Sequence, residues 1–297
     1  MFERILVPLD GSEIAESILP QVTRLLRRQD CHLHLLRVVD VHPGADFDAP
    51  VDLAGRWAEA EKYLNYMAKS LGDRGIRLRT SVVQGNPADV IRETTIREKI
   101  GMVAMSTHGR SGIRRWLFGS VTEKVLRSKL EVPILVVRSF PTAASASGEI
   151  RRILVPVDGS GAALAVIPSA VELARLFGAM IVAVHVTKQE FSFPLEATPE
   201  HRLGRAVEAL REAGADAVGV LAEGDPGCEI LEACRVHCAD LIAMTTHGRS
   251  GLSRWVLGSV TEKVLRASEV PMLVVPGFQV EPSEEKLVEA RKSEEGL

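Results

Sequence analysis

Two nearly identical segments of this chain combine residues suited to binding an anion. Residues 105–127 read MSTHGRSGIRRWLFGSVTEKVLR, and residues 244–266 read MTTHGRSGLSRWVLGSVTEKVLR. In each segment, glycines let the backbone turn sharply and let another group approach the amide N–H groups closely. A Gly-Ser pair then begins a predicted helix, whose free first-turn amides lie at the positive end of the helix dipole. With an arginine nearby, each segment could hold a chain of phosphates.

The residues that would make these contacts are glycines, an arginine and hydroxyl-bearing residues in each copy. They are Gly109, Arg110, Gly119, Ser120 and Thr122 in the first copy, and Gly248, Arg249, Gly258, Ser259 and Thr261 in the second. A second interpretation stays open, because Ser120 with Glu123 matches the S-x-x-E capping box, which closes a helix start without a ligand. A cap explains neither the paired glycines nor the arginine, so we favour phosphate binding.

An aspartate directly follows the first apolar run of each copy, in PLDGS and PVDGS. Asp10 and Asp158 would therefore stand at the carboxyl end of a strand. A carboxylate there can accept hydrogen bonds from ribose hydroxyls or help hold a phosphate-bound metal ion. Asp-Gly-Ser is equally a good turn that caps the following helix. The sequence leaves these two roles open.

The elements that must position these residues are repeated along almost the whole chain. RILVPLDGSE aligns with RILVPVDGSG, and QGNPADVI aligns with EGDPGCEI. Each copy alternates short apolar runs with amphipathic stretches. In the first copy the runs RILVPL, HLHLLRVV, IRLRTSVV, GMVAMS and VPILVV predict strands. The stretches near residues 13–28, 53–72, 87–99 and 120–130 predict helices.

This alternation predicts an α/β fold with two doubly wound domains, each a five-stranded parallel sheet covered by helices. We expect the domains at residues 1–140 and 150–277. The small-residue segment SFPTAASASGE would link them, and residues 278–297 would form a charged tail. In such sheets, ligands lie beyond the carboxyl ends of the strands, where the strand order reverses. The doubled segment follows the fourth strand and therefore falls at that edge.

Composition and charge argue against several other classes of protein. The chain has 297 residues, a formal net charge of −3 and a pI near 6.3, so it has no global attraction for nucleic acid or an anionic membrane. No apolar run approaches the roughly eighteen residues of a membrane span, and the start MFERILVPLD lacks the features of a secretory signal. We therefore expect a cytosolic protein without nucleic-acid or membrane partners.

Other catalytic and metal-binding motifs are weak or missing. The chain contains no GxxxxGK[ST] loop, no nucleophile elbow and no complete GxGxxG. Its four cysteines do not make a disulfide framework at this length. Cys228, Cys234 and Cys238 cluster on a predicted helix, without CxxC spacing and without a counterpart in the first copy. We favour small buried cysteines over a metal site, which the sequence leaves open.

Together, these segments resemble the universal stress proteins in their tandem two-domain form. That family's ATP-binding signature is glycine, two residues, glycine, nine residues, glycine, then serine or threonine. The later part of the signature occurs twice here, as Gly109 with Gly119 and Ser120, and as Gly248 with Gly258 and Ser259. Ser106 and Thr245 replace the first glycine. The branched Cβ of Thr245 makes unusual backbone angles harder to adopt, so the second copy departs further from the signature.

The resemblance implies an adenine nucleotide alpha hydrolase-like fold and up to two ATP molecules per chain, with or without Mg²⁺. It implies an aspartate near the ribose, a valine at the end of the second strand against the adenine, and Gly-Ser-Val at the phosphates. With their neighbours at the strand ends, the implied contacts in the first copy are Pro8, Leu9, Asp10, Val38, Met105, Ser106, Gly109, Arg110, Gly119, Ser120, Val121 and Thr122. Their counterparts are Pro156, Val157, Asp158, Val186, Met244, Thr245, Gly248, Arg249, Gly258, Ser259, Val260 and Thr261.

The same likeness implies an ATP-binding stress-response protein that acts through nucleotide-dependent conformation or partner binding. It also implies that the two copies pair through their last strands, VPILVVR and VPMLVVP, and that a homodimer forms through those strands. No catalytic constellation is evident, so any ATP hydrolysis should be slow and metal-assisted. Two alternatives stay open: an interaction scaffold of this fold that binds no nucleotide and, less favoured, a true nucleotide-hydrolysing or adenylyl-transferring enzyme.

Overall fold

A computed structural model of the chain describes residues 2–26, 31–40, 53–72, 77–107, 119–128, 130–138, 149–187, 198–246 and 257–277. The first half contains β1 (Arg4–Pro8), α1 (Glu13–Glu16), α2 (Leu19–Leu26), β2 (His32–Val39), α3 (Leu53–Leu71), β3 (Arg77–Gln84), α4 (Pro87–Arg97), β4 (Met102–Ser106), α5 (Ser120–Leu126) and β5 (Ile134–Val137). The second half contains β6 (Arg152–Pro156), α6 (Gly161–Leu164), α7 (Ile167–Phe177), β7 (Met180–Thr187), α8 (Pro199–Glu212), β8 (Ala217–Glu223), α9 (Pro226–Val236), β9 (Leu241–Thr245), α10 (Ser259–Ala267) and β10 (Met272–Val275).

The strands of both halves form one sheet in the order β3-β2-β1-β4-β5-β10-β9-β6-β7-β8. Within each half, neighbouring strands run parallel, as the alternation of strands and helices predicts. In the first half, β1 lies between β2 and β4, and in the second half β6 lies between β7 and β9. Each half is therefore doubly wound, with the strand order reversing beside its first strand.

The two halves join through their last strands, which run antiparallel. Leu135 of β5 lies opposite Leu273 of β10, and these two leucines occupy the same place in the two copies of the repeat. The expected pairing of the halves is therefore present. β5 also pairs with β4, and β10 also pairs with β9. Because both edges of each last strand are occupied, a second chain could not add to them without displacing a partner strand. The expected homodimer through these strands stays a prediction.

The sheet buries apolar residues on both faces, because its strands are apolar on both faces. One face packs against α2, α3, α7 and α8, and the other against α4, α5, α9 and α10. On the first face, Leu33 and Leu35 of the first half belong to the same buried cluster as Ile181 of the second. Leu36 and Val182 belong together to the cluster on the opposite face. Each core therefore runs through both halves of the molecule.

One predicted element is wrong. The stretch near 13–28 predicts a single helix, whereas the structure has α1 at Glu13–Glu16 and α2 at Leu19–Leu26. Pro20 is the second residue of α2. Proline has no N–H group, and its ring clashes with the carbonyl four residues earlier, so a helix restarts at proline more easily than it continues through it. The second half repeats the break between α6 and α7, with Pro168 in the same place.

The longest helix among the described residues is α3, with 19 residues, and it carries several charged side chains. None of the described helices combines the length and the apolar character needed to cross a membrane. All of the expected linker except Glu149, and the charged tail at 278–297, lie outside the described residues.

Candidate functional site

Several predicted site residues of the first half stand at the carboxyl ends of two neighbouring strands. β1 ends at Pro8, immediately before Leu9 and Asp10, and β4 ends at Ser106. These two strands pair directly, with Leu6 opposite Val103. In the second half, β6 and β9 pair in the same way and end at Pro156 and Thr245. This edge, at the reversal of strand order, is where doubly wound sheets bind ligands.

Asp10 forms a tight turn with the serine that caps the next helix. Its Oδ1 accepts hydrogen bonds from the backbone N of Ser12 at 3.0 Å and from Ser12 Oγ at 2.5 Å. Ser12 Oγ in turn accepts from the N of Ala15 at 3.1 Å, which caps α1. Gly11 between them has a φ of +78°, a conformation that favours glycine. The turn interpretation of Asp-Gly-Ser is therefore correct, and it fixes where the carboxylate stands.

The second half repeats this turn closely. Asp158 Oδ1 accepts from the N of Ser160 at 2.9 Å and from Ser160 Oγ at 2.6 Å. Ser160 caps α6 by accepting from the N of Ala163, and Gly159 has a φ of +80°. A ribose contact by either aspartate would be an additional role, and it stays a prediction.

The helix after the glycine-rich segment begins without a side-chain cap among the described residues. Gly119, not Ser120, occupies the N-cap position of α5, and this cap residue supplies no side-chain hydrogen bond. Gly258 caps α10 in the same manner. Glu123 does not reach back as a capping box requires, since its carboxylate accepts from Arg127 Nε at 3.1 Å. The capping-box alternative is therefore wrong for these helices.

Two hydroxyls at the start of α5 have different surroundings. Thr122 is buried, and its Oγ1 donates to the backbone carbonyl of Ser106 at 2.8 Å. Thr261 donates to the carbonyl of Thr245 at 2.9 Å. Each threonine thus ties the helix start to the end of the fourth strand of its half. Ser120, at the first helical position, is exposed.

Partly exposed valines occur at the end of β2 and in the first turn of α5. Val38 at the end of β2 and Val121 in α5 are both half-buried, and they pack against the same core cluster as Met105 of β4. Val186, Val260 and Met244 repeat this arrangement in the second half. A flat apolar ring could cover such a surface. Four predicted contacts cannot be located, because Gly109, Arg110, Gly248 and Arg249 lie outside the described residues.

The sequence profile of the Universal stress protein family matches residues 1–138 and again residues 149–276. This chain belongs to that family. A universal stress protein of Mycobacterium tuberculosis is 24% identical over 306 residues, covering 91% of this chain and 94% of the relative. One from Methanocaldococcus jannaschii is 27% identical over 146 residues, covering 46% of this chain and 83% of the relative. The crystal structure of a universal stress protein from Archaeoglobus fulgidus superposes with a TM-score of 0.76 at 24% identity, covering 94% of this chain and all of that one.

Among the residues that sequence reasoning missed are two threonines that hold the helix starts of the candidate sites in this universal stress protein. Thr107 is buried, its carbonyl accepts from the N of Gly119 at 2.6 Å, and its N donates to the carbonyl of Val137 in β5 at 2.8 Å. Thr246 links Gly258 to Val275 in the same way. Each helix start is therefore hydrogen-bonded, through one threonine, to the last strand of its half, which joins the two halves. The only available signal was that both threonines stand in the repeated segment.

The cysteine cluster of this universal stress protein does not form a metal site among the described residues. No group of three or more His, Cys, Asp or Glu side chains is placed there to hold an ion. Cys234 is buried and donates to the carbonyl of Ala239, whereas Cys228 and Cys238 are exposed. Burial raises the pKa of the Cys234 thiol to about 11, which keeps it protonated at neutral pH. Of these three cysteines, only Cys234 has the buried packing that we favoured.

Proposed function

We propose that each half of this universal stress protein binds one ATP molecule at the carboxyl edge of its sheet. The observation that carries the proposal is the repeated pair of features at that edge. In each half, a helix start with glycine as its N-cap is bonded to the strand that pairs with the one before the Asp-Gly-Ser turn. Uncapped first-turn amides attract phosphate, and a carboxylate at a strand end suits ribose hydroxyls. Bound nucleotide would act through conformation or partner binding, as ligands that favour one state do.

The surroundings of the helix starts suit the parts of an adenine nucleotide. The half-buried Val38 and Val121 provide an apolar surface for the adenine ring. The exposed Ser120 hydroxyl can donate to a phosphate oxygen, while Thr122 holds the helix start in place. Mg²⁺ would arrive bound to the phosphates and supply positive charge there. We propose no dedicated catalytic residue, and any hydrolysis should be slow.

Isothermal titration of nucleotide-free protein with ATP and Mg²⁺ tests this function. We expect two ATP molecules per chain. Gly119→Val should remove the site of the first half and Gly258→Val that of the second, because a side chain at the cap would crowd the phosphates. Gly204→Ala is the matched control, since a Cβ on this helical glycine of α8 meets no atom within 4 Å. It should leave both sites intact.

The same titration separates nucleotide binding from the scaffold alternative. If the wild-type chain takes up no ATP, and the two cap variants behave like wild type, the fold serves as an interaction scaffold. A stoichiometry of one that only Gly119→Val abolishes would restrict the proposal to the first half. That outcome would agree with the branched residue at Thr245.

A further inference from the structure

Arg37, which is not among the proposed nucleotide contacts, bonds to the backbone of the Asp10 turn. Arg37 of β2 donates from Nη1 to the carbonyl of Leu9 at 3.3 Å. Its guanidinium lies over the ring of Tyr63 in α3, with Cζ 5.7 Å from the ring centroid. Tyr63 Oη donates to Glu16 Oε1 at 2.9 Å. Burial and this hydrogen bond raise the pKa of Tyr63, so the phenol stays a donor.

The close approach of this arginine depends on the turn glycine. A Cβ at Gly11 would stand 3.3 Å from Arg37 Nη1 and 3.6 Å from its Cζ. Arg37 therefore packs directly against the backbone of the turn as well as bonding to the carbonyl before Asp10. Three elements, β2, α3 and α1, thus contribute to one network that ends on this turn.

The second half holds the same turn with different residues. His185, which stands on β7 where Arg37 stands on β2, is buried and contacts the carbonyl of Val157 through Nδ1 at 2.7 Å. Arg202 of α8 extends its side chain over Gly159, where a Cβ would lie 2.8 Å from its Cδ. An arginine therefore covers the turn glycine in both halves, although it comes from a strand in one half and from a helix in the other.

We propose that Arg37 in the first half and His185 in the second are positioning residues that fix Asp10 and Asp158 for the ribose. This inference rests on the proposed function. Each residue bonds the carbonyl immediately before its aspartate and so holds the backbone of the turn, while Ser12 or Ser160 bonds the carboxylate itself. A preorganised carboxylate loses less entropy on binding than a mobile one. The repeated bond from unlike side chains argues for a shared requirement at this point rather than for incidental packing.

The two sites are tested one at a time by ATP titration. In the Gly258→Val background, Arg37→Leu should weaken ATP binding in the first half about tenfold. Arg37→Lys should weaken ATP binding less than Arg37→Leu, because lysine keeps the positive charge. It should still weaken binding, because lysine lacks the planar guanidinium that lies over Tyr63. Arg4→Leu is the matched control, because Arg4 of β1 also donates to a backbone carbonyl, that of Glu98 at 3.0 Å. It should change affinity by less than about twofold.

In the second half, ATP affinity lost by substitution of His185 should be restored by introducing the residues of the first half. In the Gly119→Val background, His185→Leu should weaken ATP binding about tenfold. The double substitution His185→Arg with Arg202→Tyr installs the pair that the first half uses, and it should restore affinity to within about twofold of the parent. Equal weakening by the double variant and by His185→Leu would overturn the proposal, because the role would then not be transferable.

Hydrogen exchange separates this inference from the proposed function. The Ser12 amide donates to Asp10 Oδ1, so it reports whether the turn is formed. Arg37→Leu, or Arg37→Lys if the first variant does not fold, should speed exchange at Ser12 in nucleotide-free protein and leave β8 unchanged. Unchanged exchange together with unchanged affinity overturns the positioning role. If wild-type protein binds no ATP, the proposed function fails, and faster exchange at Ser12 still supports the positioning of the turn.

Discussion

At the scale of single residues, the start of α5 separates a structural hydroxyl from one that is available to a ligand. Thr122 is 3% exposed, and its hydroxyl donates a hydrogen bond to the carbonyl of Ser106. Ser120, two residues earlier, is exposed. The same division recurs between Thr261 and Ser259. Substitutions at the two positions should therefore affect different properties.

Thr122→Val should lower the free energy of unfolding by about 1 to 3 kcal/mol, because the buried carbonyl of Ser106 loses its hydroxyl donor. Ser120→Ala, the matched control, should leave stability within about 0.5 kcal/mol of wild type, as surface substitutions usually do. Urea unfolding measures both. Equal stabilities for the two variants would contradict a structural role for the Thr122 hydroxyl that Ser120 lacks. In ATP titration, Ser120→Ala should weaken binding at the first half.

A second residue-scale prediction concerns Asp225, the N-cap of α9. Lys263 Nζ lies 2.6 Å from its Oδ1, and with the N–H of Cys228 it lowers the pKa of Asp225 to about 2. A lowered carboxyl pKa favours the folded state above its ordinary value of 3.8, and this contribution disappears as the pH falls towards about 2. Carboxyl ¹³C NMR should give a midpoint near 2.

Lys263→Met should return the Asp225 midpoint towards its ordinary value, since the ammonium is the largest cause of the shift. Lys124→Met changes the corresponding lysine of the first half, where Asn86 replaces the aspartate, and should leave the Asp225 midpoint unchanged. If Asp225 has the same midpoint in both variants, Lys263 does not set its pKa.

At the scale of elements, the turns between strands and helices depend on glycines with positive φ. Gly85, between β3 and the Asn86 cap of α4, has a φ of +147°, and a Cβ there would lie 2.9 Å from Val90 Cγ2. Gly85→Ala should therefore lower the free energy of unfolding by about 1 to 3 kcal/mol. Gly204→Ala, in the middle of α8, should instead raise it by up to about 1 kcal/mol. Chemical denaturation measures the free energy of unfolding of both variants. A more stable Gly85→Ala variant would contradict the expected backbone strain at this position.

The elements also show what a sequence of this kind can predict. β2 occupies His32–Val39, as its largely apolar run predicts, because a strand covered on both faces carries apolar residues on both of them. The break between α1 and α2 was missed because Pro20 also fits the first turn of a helix, so it signals a start as well as an interruption. The capping box was an open alternative because its spacing does not reveal which residue is the cap. Gly119 occupies that position, and only backbone conformation decides this.

The candidate site could be predicted in its location but not in its internal contacts. The repeat and the strand order brought Asp10, Ser106 and Ser120 to one edge, since parallel strands end together. The contacts of Thr107 and Arg37 join positions distant in sequence, and no local pattern encodes such pairs. The hydroxyl direction of Thr122 likewise depends on packing around the helix start.

At the scale of the whole molecule, the antiparallel join makes one ten-stranded sheet from two copies of a repeat. The cores on both faces contain side chains from both halves, and Arg127 near the end of α5 lies 3.8 Å from Glu262 of α10 across the join. The chain therefore contains within itself the strand pairing that the family resemblance implies between domains.

This continuity predicts a single unfolding transition. Differential scanning calorimetry should give one peak whose calorimetric enthalpy equals the van't Hoff enthalpy, because neither half can lose its core independently. Two resolved peaks, or a calorimetric enthalpy about twice the van't Hoff value, would mean that the halves unfold separately.

The most direct test of nucleotide binding in both halves is diffraction from crystals grown with ATP and Mg²⁺. We predict triphosphate density against the first-turn amides of α5 and α10, with each ribose beside Asp10 or Asp158. Density for protein side chains filling both of these places, with no nucleotide in either half, would contradict the account.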